Sequence, residues 1–286
     1  MIRIVFILAS LVIGFVAKAQ DLDKSLLWKI SGNGLVHSSY LFGTIHAACE
    51  INLDKNTKKA LLDSKQLYLE IDMDDPNMQA AMMKGIAMKN GVTISSLLSI
   101  EDAATLDAFL KENVGMNLKM VDKFKPFMIS AMFIPKLLGC PMQSIETELV
   151  KIIKEQNKEV YGLETIENQL DVFDKIPYQL QADELVKTAK NKMINDKIEL
   201  EKMTIAYNNE DIEGLLLMMK MSENKISSDY DALLLHDRNV KWLAIIERVS
   251  KEMPTFYGVG AGHLAGENGV IKLLRKKGFT VEAVVN

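Results

Sequence analysis

Two histidines stand in the same local frame at distant points of the chain. Gly43 precedes His46 by three residues, and Gly260 precedes His263 by three residues. Each follows a short apolar run typical of a buried strand, and glycine permits the sharp turn that ends a strand. Both histidines are therefore predicted at the edge of a sheet where its strands end, which is where open α/β sheets bind ligands. One such histidine is usually structural, whereas two indicate a shared site.

Two carboxylates occupy matching positions after other apolar runs. Glu70 lies near the end of the run 66–71, and Glu164 directly follows the run 159–163. Imidazoles and carboxylates together suit a divalent ion such as Mn²⁺, Co²⁺ or Zn²⁺, which activates water and polarises a carbonyl. Without a metal, the same groups could act as general bases. Structural readings stay open, because Glu164 could cap the following helix and Glu70 could be a solvated loop acid.

A further candidate, Arg238, lies in a stretch with helical spacing. Its guanidinium could bind a substrate carboxylate or an oxyanion through two hydrogen bonds, or it could form a buried ion pair. The chain contains no His-Glu-x-x-His, no Gly-x-Ser-x-Gly and no Walker loop. The sequence is therefore not that of the usual helical zinc protease, of a serine hydrolase with a nucleophile elbow, or of a P-loop nucleotide enzyme.

The rest of the pattern must supply the elements that position these side chains. A Gly-Asn-Gly turn between two extended runs predicts a β-hairpin, and four more short runs predict strands. Helical spacing with good helix formers fills the segments between them. The predicted strands are 26–30, 35–43, 66–71, 159–163, 255–259 and 280–285, and the predicted helices are 55–64, 78–90, 101–112, 123–138, 146–157, 212–221, 230–250 and 268–277, with 179–208 as one long helix or a broken pair.

These elements predict an α/β fold, in which a mixed central β-sheet is covered by helices. The middle of the chain, over about residues 78–250, is expected to be largely helical. No linker rich in Pro, Gly or Ser divides the chain, so residues 20–286 are expected to form a single domain.

The first 19 residues have the layout of a signal peptide. Arg3 supplies a positive charge, an apolar run follows, and Ala17 and Ala19 place small residues at the cleavage positions. We expect residues 1–19 to be removed and the protein to be exported, soluble, and periplasmic or secreted, without an integral membrane segment; an uncleaved anchor is the alternative. Their removal changes the formal net charge from −4 to −6. An acidic chain without a stripe of Lys or Arg is not expected to bind nucleic acid.

Two cysteines and many methionines leave further alternatives open. Cys49 and Cys140 could pair in an oxidising compartment or remain free thiols. The chain has 17 methionines, many of them in the helical middle, and Met-rich surfaces can grip varied peptides. A protein that binds or sequesters a peptide or cofactor without turnover is therefore a rival to an enzyme. Ordinary core packing is the simpler explanation of the methionines.

Four segments carry a specific combination of motifs: LWKI and YLFGTIH between Leu27 and His46, GLETIENQL from Gly162, Arg238-Asn239 followed by Trp242, and GAGHLAG from Gly260. In this combination the chain resembles the TraB/GumN family over nearly all of its length after the signal peptide. The family includes the pheromone-shutdown proteins TraB and PrgY. It is related to the Tiki proteases, which are described as Mn²⁺- or Co²⁺-dependent and cleave Wnt amino-terminal segments.

The resemblance implies a fold shared with erythromycin esterases and the haem-binding ChaN proteins. It assigns the two Gly-x-x-His histidines of the family to His46 and His263, and its late arginine to Arg238. The family acids after the second strand and in the central motif correspond to Glu70 and Glu164.

One position departs from the family pattern. Many members carry Gly-hydrophobic-Asp ahead of the helix that precedes the central motif, where this chain has Ser144-Ile145-Glu146. That difference weakens any role for Glu146.

The sequence therefore predicts a metal-assisted hydrolase of peptide or amide bonds, with a peptide or protein as its substrate. His46, His263 and Glu70 are the expected metal ligands, with Mn²⁺ or Co²⁺ favoured and Zn²⁺ as a third candidate. Glu164, Glu70 and Arg238 are the expected catalytic groups, the glutamate that does not bind the metal being the general base. The rivals are a metal-free hydrolase with a histidine as general base and the non-catalytic binding protein.

Overall fold

The computed structural model describes residues 22–285, and the predicted signal peptide lies outside this range. Within it the chain forms a six-stranded sheet with the order β4-β3-β5-β2-β1-β6. The mixed α/β class predicted from the sequence is confirmed, and all six predicted strands are present. The strands are β1 (Leu27–Gly32), β2 (Ser39–Thr44), β3 (Gln66–Leu69), β4 (Val160–Gly162), β5 (Thr255–Gly260) and β6 (Phe279–Ala283).

Four neighbouring strands of this sheet run parallel to one another. β2 pairs with β5, β5 with β3, and β3 with β4, each in parallel register. β1 pairs with β2 and β6 in antiparallel register and completes the other side. The carboxyl ends of β2, β5, β3 and β4 therefore lie at one edge of the sheet, which brings together the residues that come after them.

Helices cover the sheet and fill the middle of the chain. None of those described between residues 22 and 285 is long and apolar enough to cross a membrane. The helices are α1 (Lys55–Asp63), α2 (Met78–Gly85), α3 (Ile94–Leu97), α4 (Ile100–Val114), α5 (Leu118–Val121), α6 (Pro126–Ala131), α7 (Ile134–Leu138), α8 (Ile145–Lys154), α9 (Ile166–Asp174), α10 (Tyr178–Lys190), α11 (Ile194–Asn208), α12 (Ile212–Lys220), α13 (Lys225–Asp229), α14 (Asp237–Glu252) and α15 (Val270–Lys276), with 3₁₀ turns at Lys89–Gly91 and Ala261–His263 and a π-helical turn at Ala232–His236.

Two hydrophobic clusters hold these elements together. The first surrounds the sheet, where Trp28, Trp242 and Phe256 are completely buried. The second lies within the helical middle, between residues 88 and 193, and includes Ile94 and Leu185. Because the helical middle has its own core, it is able to form one wall of a cleft whose other wall is the edge of the sheet.

The predicted helix 123–138 is wrong, because two prolines interrupt it. Pro126 occupies the first turn of α6, and Pro135 occupies the first turn of α7. Proline lacks a backbone N–H and clashes with the preceding turn of a helix, so it favours the start of a helix. The stretch 179–208 is a broken pair, since Lys192 and Met193 adopt positive φ angles of 54° and 61° between α10 and α11.

Cys49 and Cys140 form a disulfide, with their Cα atoms 5.6 Å apart. The bond joins the loop after β2 to the turn after α7. Ala48 and Gln143 exchange two backbone hydrogen bonds beside it, of 2.9 and 2.8 Å. The loop that carries His46 is therefore fastened to the segment that leads into α8.

Candidate active site

The residues predicted to form a site come directly after the ends of the four parallel strands. His46 comes after β2, Glu70 after β3, Glu164 after β4 and His263 after β5. Because these ends lie at one edge of the sheet, four side chains from distant parts of the chain converge there. The geometry is the one expected from the two Gly-x-x-His turns.

The backbone of Gly260 marks the point where they meet. A Cβ placed on this glycine would lie 3.2 Å from Oε1 of Glu70 and 3.7 Å from Nε2 of His46. The same point is 3.6 Å from Cδ2 of His263. A side chain here would fill the space between the functional groups, which gives a physical reason for glycine at this position.

His263 is buried and held in one orientation. Its Nδ1 lies 2.6 Å from Oδ1 of Asn239, whose amide nitrogen donates to the backbone oxygens of His263 and Asn268. The amide oxygen must therefore face the imidazole, so Nδ1 carries the proton and Nε2 presents a lone pair. Burial lowers the pKa of His263 to about 3, which keeps the ring neutral at pH 7. Trp242 packs against the ring, with centroids 4.5 Å apart.

His46 has a comparable arrangement with a carboxylate. Its Nδ1 donates to Oε1 of Glu146 at 2.8 Å, and this oxygen also accepts from the Thr44 hydroxyl at 2.6 Å. The hydrogen bond raises the pKa of His46 to about 9. Burial opposes ionisation of Glu146, but the same bond lowers the pKa of this acid to about 2. The His46 side chain is 69% exposed at the mouth of the cleft, so water screens the pair and leaves Nε2 accessible.

Glu70 is a buried carboxylate with four polar neighbours. Oε1 accepts the backbone N–H of Gly260 at 2.8 Å and lies 3.6 Å from Nε2 of His263, while Oε2 accepts from Gln169 at 3.0 Å and from Arg238. Burial raises the pKa of Glu70, but neighbouring positive charge outweighs this effect and holds the pKa well below its usual range. At neutral pH, where His263 is uncharged, Arg238 supplies most of that charge.

Arg238 lies at the centre of the cluster, and the protein occupies all of its N–H donors. Nε and Nη2 donate to Oε1 of Glu164, and Nη2 also donates to Glu70. Nη1 donates to the Leu234 carbonyl at 3.0 Å and to Nε2 of His263 at 3.1 Å. A guanidinium has five such donors. The geometry therefore favours the ion-pair reading of Arg238 over a clamp for a substrate carboxylate.

The π-helical turn Ala232–His236 immediately precedes Arg238. A π-turn rotates the residues after it relative to a regular helix, and such turns are frequent at functional sites. Here the turn also places the carbonyl of Leu234 against the guanidinium. We infer that it sets the direction from which Arg238 enters the cluster.

Three supporting residues received no role from the sequence. The departure from the family pattern at Glu146 argued against this acid, yet the structure places it against His46. Asn239 and Gln169 belong to the quoted motifs, where they stand next to Arg238 and in the central segment. Their contacts with His263 and Glu70 depend on the tertiary fold. In the sequence, the only indication of a role for Asn239 and Gln169 is that they lie within the motifs.

The histidines and carboxylates of the cluster are of the types that bind a divalent ion, but they are not arranged as a metal site. Within residues 22–285, no group of three His, Cys, Asp or Glu is arranged to hold a metal. Nε2 of His263 and Oε1 of Glu70 are 3.6 Å apart, within the roughly 3–4 Å implied for two ligands of one ion. Both histidines use Nδ1 for a protein partner, the arrangement common to metal-bound imidazoles. Binding would require the contact from Arg238 to His263 to give way.

Comparison with known proteins agrees with the resemblance noted from the motifs. The chain is similar to Metalloprotease TIKI2 of Danio rerio, with 20% identity over 321 residues that cover 90% of this chain and 60% of that protein. It is also similar to Metalloprotease TIKI1 of Danio rerio, with 21% identity over 319 residues that cover 92% and 63%. The chain thus spans about three fifths of the length of these relatives.

No solved structure matches the chain, so the relationship to erythromycin esterases and ChaN proteins stays a prediction. The model of the TraB/PrgY/gumN family matches residues 26–283, which include all six strands and all four strand-end residues of the cluster. The protein belongs to the TraB/PrgY/gumN family.

Proposed function

We propose that this protein is an exported, divalent-metal-dependent hydrolase that cleaves peptide bonds. The observation that carries the proposal is the matched setting of two histidines. His46 and His263 each engage a buried acceptor through Nδ1, and the opposite edge of each ring lies near Gly260, where Oε1 of Glu70 also lies. This arrangement fixes the tautomer that leaves Nε2 available to a metal. Its similarity to proteins named as metalloproteases supports the same reading.

In this proposal His46, His263 and Glu70 hold the ion. A divalent ion bound there would activate water and polarise the scissile carbonyl. Glu146 and Asn239 orient the two imidazoles and keep a proton on each Nδ1. Mn²⁺ and Co²⁺ are the favoured ions, because nitrogen and carboxylate ligands suit both.

Glu164 is the general base of this proposal. Both bonds that it accepts from Arg238 end on Oε1. Among the described residues, no protein hydrogen bond reaches its Oε2. That oxygen is therefore the atom that accepts a proton from water, while Arg238 keeps the carboxylate in place.

The metal-free rival, in which a histidine is the general base, has weaker support. A general base works best when its pKa lies near the operating pH. The pKa of His46 is raised to about 9 and that of His263 is lowered to about 3. At pH 7 His46 therefore carries a proton on Nε2 as well, which prevents it from acting as a base but which a divalent ion would displace on binding. His263 is a weak base. The rival hypothesis of a non-catalytic binding protein predicts that the metal-loaded protein cleaves no peptide of the library.

Export is supported by the disulfide between Cys49 and Cys140, because such bonds persist in oxidising compartments. If the protein is exported as proposed, material from the cell envelope or culture medium will begin at Gln20 or Asp21. Intact Met1 protein in the cytosol would refute this part of the proposal.

The proposed chemistry is tested on purified, chelator-treated protein. We expect it to bind Mn²⁺ or Co²⁺ at about one ion per chain and then to cleave members of an internally quenched peptide library. His263→Ala should weaken metal binding by at least about tenfold. His37→Ala, at an exposed position in the hairpin, is the matched control and should match the wild type. Neither stoichiometric metal nor metal-stimulated cleavage in the wild type would end the proposal.

Glu146→Gln tests how the first histidine is oriented. The amide retains an acceptor for Nδ1 of His46 but loses the negative charge that polarises the ring. We expect metal affinity or peptidase activity to fall by roughly 10–100-fold, the usual effect of removing such a partner. Glu148→Gln lies on the same helix at a more exposed position and serves as control. Unchanged metal affinity and activity in Glu146→Gln would show that Glu146 has no such role.

A further inference from the structure

A cleft of about 380 Å³ opens beside the cluster of histidines and carboxylates. Its polar wall lies at the edge of the sheet and includes His46 and Glu70, together with Glu146 from α8. The opposite wall is apolar and comes mostly from the helical middle of the chain. Ligand-binding clefts usually measure about 300–1,000 Å³, so this one has room for a large side chain and the backbone beside it. The apolar wall consists of Met73, Phe127, Val172, Phe173 and Leu234.

Two aromatic rings form the main part of this apolar wall. Phe127 from α6 and Phe173 from α9 are stacked, with centroids 3.5 Å apart and planes inclined by 14°. Both rings are only half-buried, as are Met73 and Leu234. Their remaining surface lines the cleft, and Met73 and Leu234 also pack against the core around the sheet. Covering that surface with an apolar group is favourable, at about 25 cal/mol per Å².

A buried ion pair joins the two helices at the base of this wall. Lys125, which precedes α6, is 2% exposed and pairs with Asp174 at the end of α9 at 2.8 Å. Its Nζ also donates to the carbonyl of Leu170 at 3.0 Å. The two helices that carry Phe127 and Phe173 are thus tied together next to the rings, which makes the apolar surface a preformed feature.

The charges of the cleft disfavour an acidic substrate side chain at the apolar wall. Glu70 and Glu146 present two carboxylates to it. Every N–H donor of Arg238 is engaged by the protein. The one further cation among the residues that line the cleft, His46, is paired with Glu146. In the metal-free protein a substrate carboxylate would therefore meet repulsion without a free partner.

We infer that the apolar wall binds a bulky, uncharged side chain of a peptide substrate, next to the bond that is cleaved, and that it discriminates against acidic side chains there. The inference rests on the proposed function for the position of the scissile bond. It adds the substrate class: peptides with an aliphatic or aromatic residue such as Leu, Met or Phe beside an internal bond.

Binding is tested apart from turnover, on the chelator-treated protein. The probes are blocked pentapeptides, acetyl-Gly-Gly-X-Gly-Gly-amide, with X as Leu, Met, Phe, Asp or Lys. We expect the apolar peptides to bind on the order of tenfold more tightly than the Asp peptide. Met73→Lys places a cation in the wall and should shift this ratio toward Asp by on the order of tenfold. Met83→Lys, at a position that is 62% exposed and does not line the cleft, is the matched control.

The same panel is then offered to the metal-loaded protein for cleavage. Apolar preference in binding without cleavage of any peptide would overturn the proposed hydrolase and leave the apolar subsite intact. Cleavage or binding that ignores X, or an unchanged ratio in Met73→Lys, would overturn the subsite. Gain of Asp-peptide binding in Met73→Lys cannot result from misfolding, so this outcome remains decisive even if the variant is less stable.

Discussion

Replacement of Arg238 by Met is expected to lower the free energy of unfolding by about 3–5 kcal/mol and peptidase activity by roughly 100-fold or more. The guanidinium pairs with Glu70 and Glu164, whose side chains are 10% and 7% exposed. Removing it leaves two buried carboxylates without their cation. Activity falls because the guanidinium also holds the side chains of His263, Glu70 and Glu164 in their relative positions. Chemical denaturation and peptide cleavage measure the two effects.

The stability deficit of this variant should depend on pH. In the wild type the pKa of Glu70 lies below its usual range, so the stability it contributes is present at neutral pH and is lost as the pH falls through that lowered pKa. In Arg238→Met the unpaired carboxylates take up protons on acidification. The difference between the two proteins should therefore be largest near neutral pH and should shrink below about pH 5. Measurements are made with chelator present, so that metal binding does not contribute.

Two further variants separate the ion pair from general damage to the helix. Arg248→Met removes an arginine from the same helix, where it is 61% exposed and pairs only with Glu252 among acids of the described residues. This control should cost about 1 kcal/mol or less. Adding Glu164→Gln to Arg238→Met removes one of the unpaired charges and should restore part of the stability. A loss in Arg238→Met no larger than that of Arg248→Met would contradict the assignment.

The strands were predictable because their signals are local. Each is a short run of apolar and aromatic residues bounded by Gly or polar residues, and β5 is buried from Thr255 to Val259. Convergence of His46 with His263 also agreed with the sequence, since parallel strands that end in glycine turns deliver the next residues of the chain to one edge of the sheet. The sequence did not show that the strands before the two histidines, β2 and β5, run parallel. The structure shows this.

The contacts that organise the site were not predictable, because they are made across long sequence distances. Glu146 lies 100 residues from His46, and nothing in its local pattern indicates which side chain it meets. The π-turn before Arg238 rotates the residues that follow it, but no residue in Ala232–His236 marks such a turn in the sequence, so the direction of the guanidinium was not predicted. Pro126 and Pro135, by contrast, are local signals. The prediction of one continuous helix over 123–138 did not take them into account.

The disulfide is the second feature with a large expected effect. Cys49 and Cys140 are 91 residues apart, so the bond closes a long loop and restricts the unfolded chain. The loop-closure relation gives about 4–5 kcal/mol of stabilisation for a loop of this length. The double variant Cys49→Ser/Cys140→Ser is expected to lose up to about this amount in denaturant unfolding. Reduction of the wild type should have the same effect, while a reductant should leave the double variant unchanged.

Reduction of the disulfide should also lower activity, because the bond helps to position His46 in addition to stabilising the fold. The disulfide fastens the loop after β2 to the segment before α8, beside the two backbone bonds between Ala48 and Gln143. These segments carry His46 and Glu146, whose contact orients the exposed imidazole. Hydrogen exchange at the Ala48 and Gln143 amides should therefore accelerate on reduction, while the amide of Gly260 stays protected. If activity and exchange at Ala48 are unaffected under conditions where the thiols are fully reduced, the bond stabilises the fold but does not position the histidine.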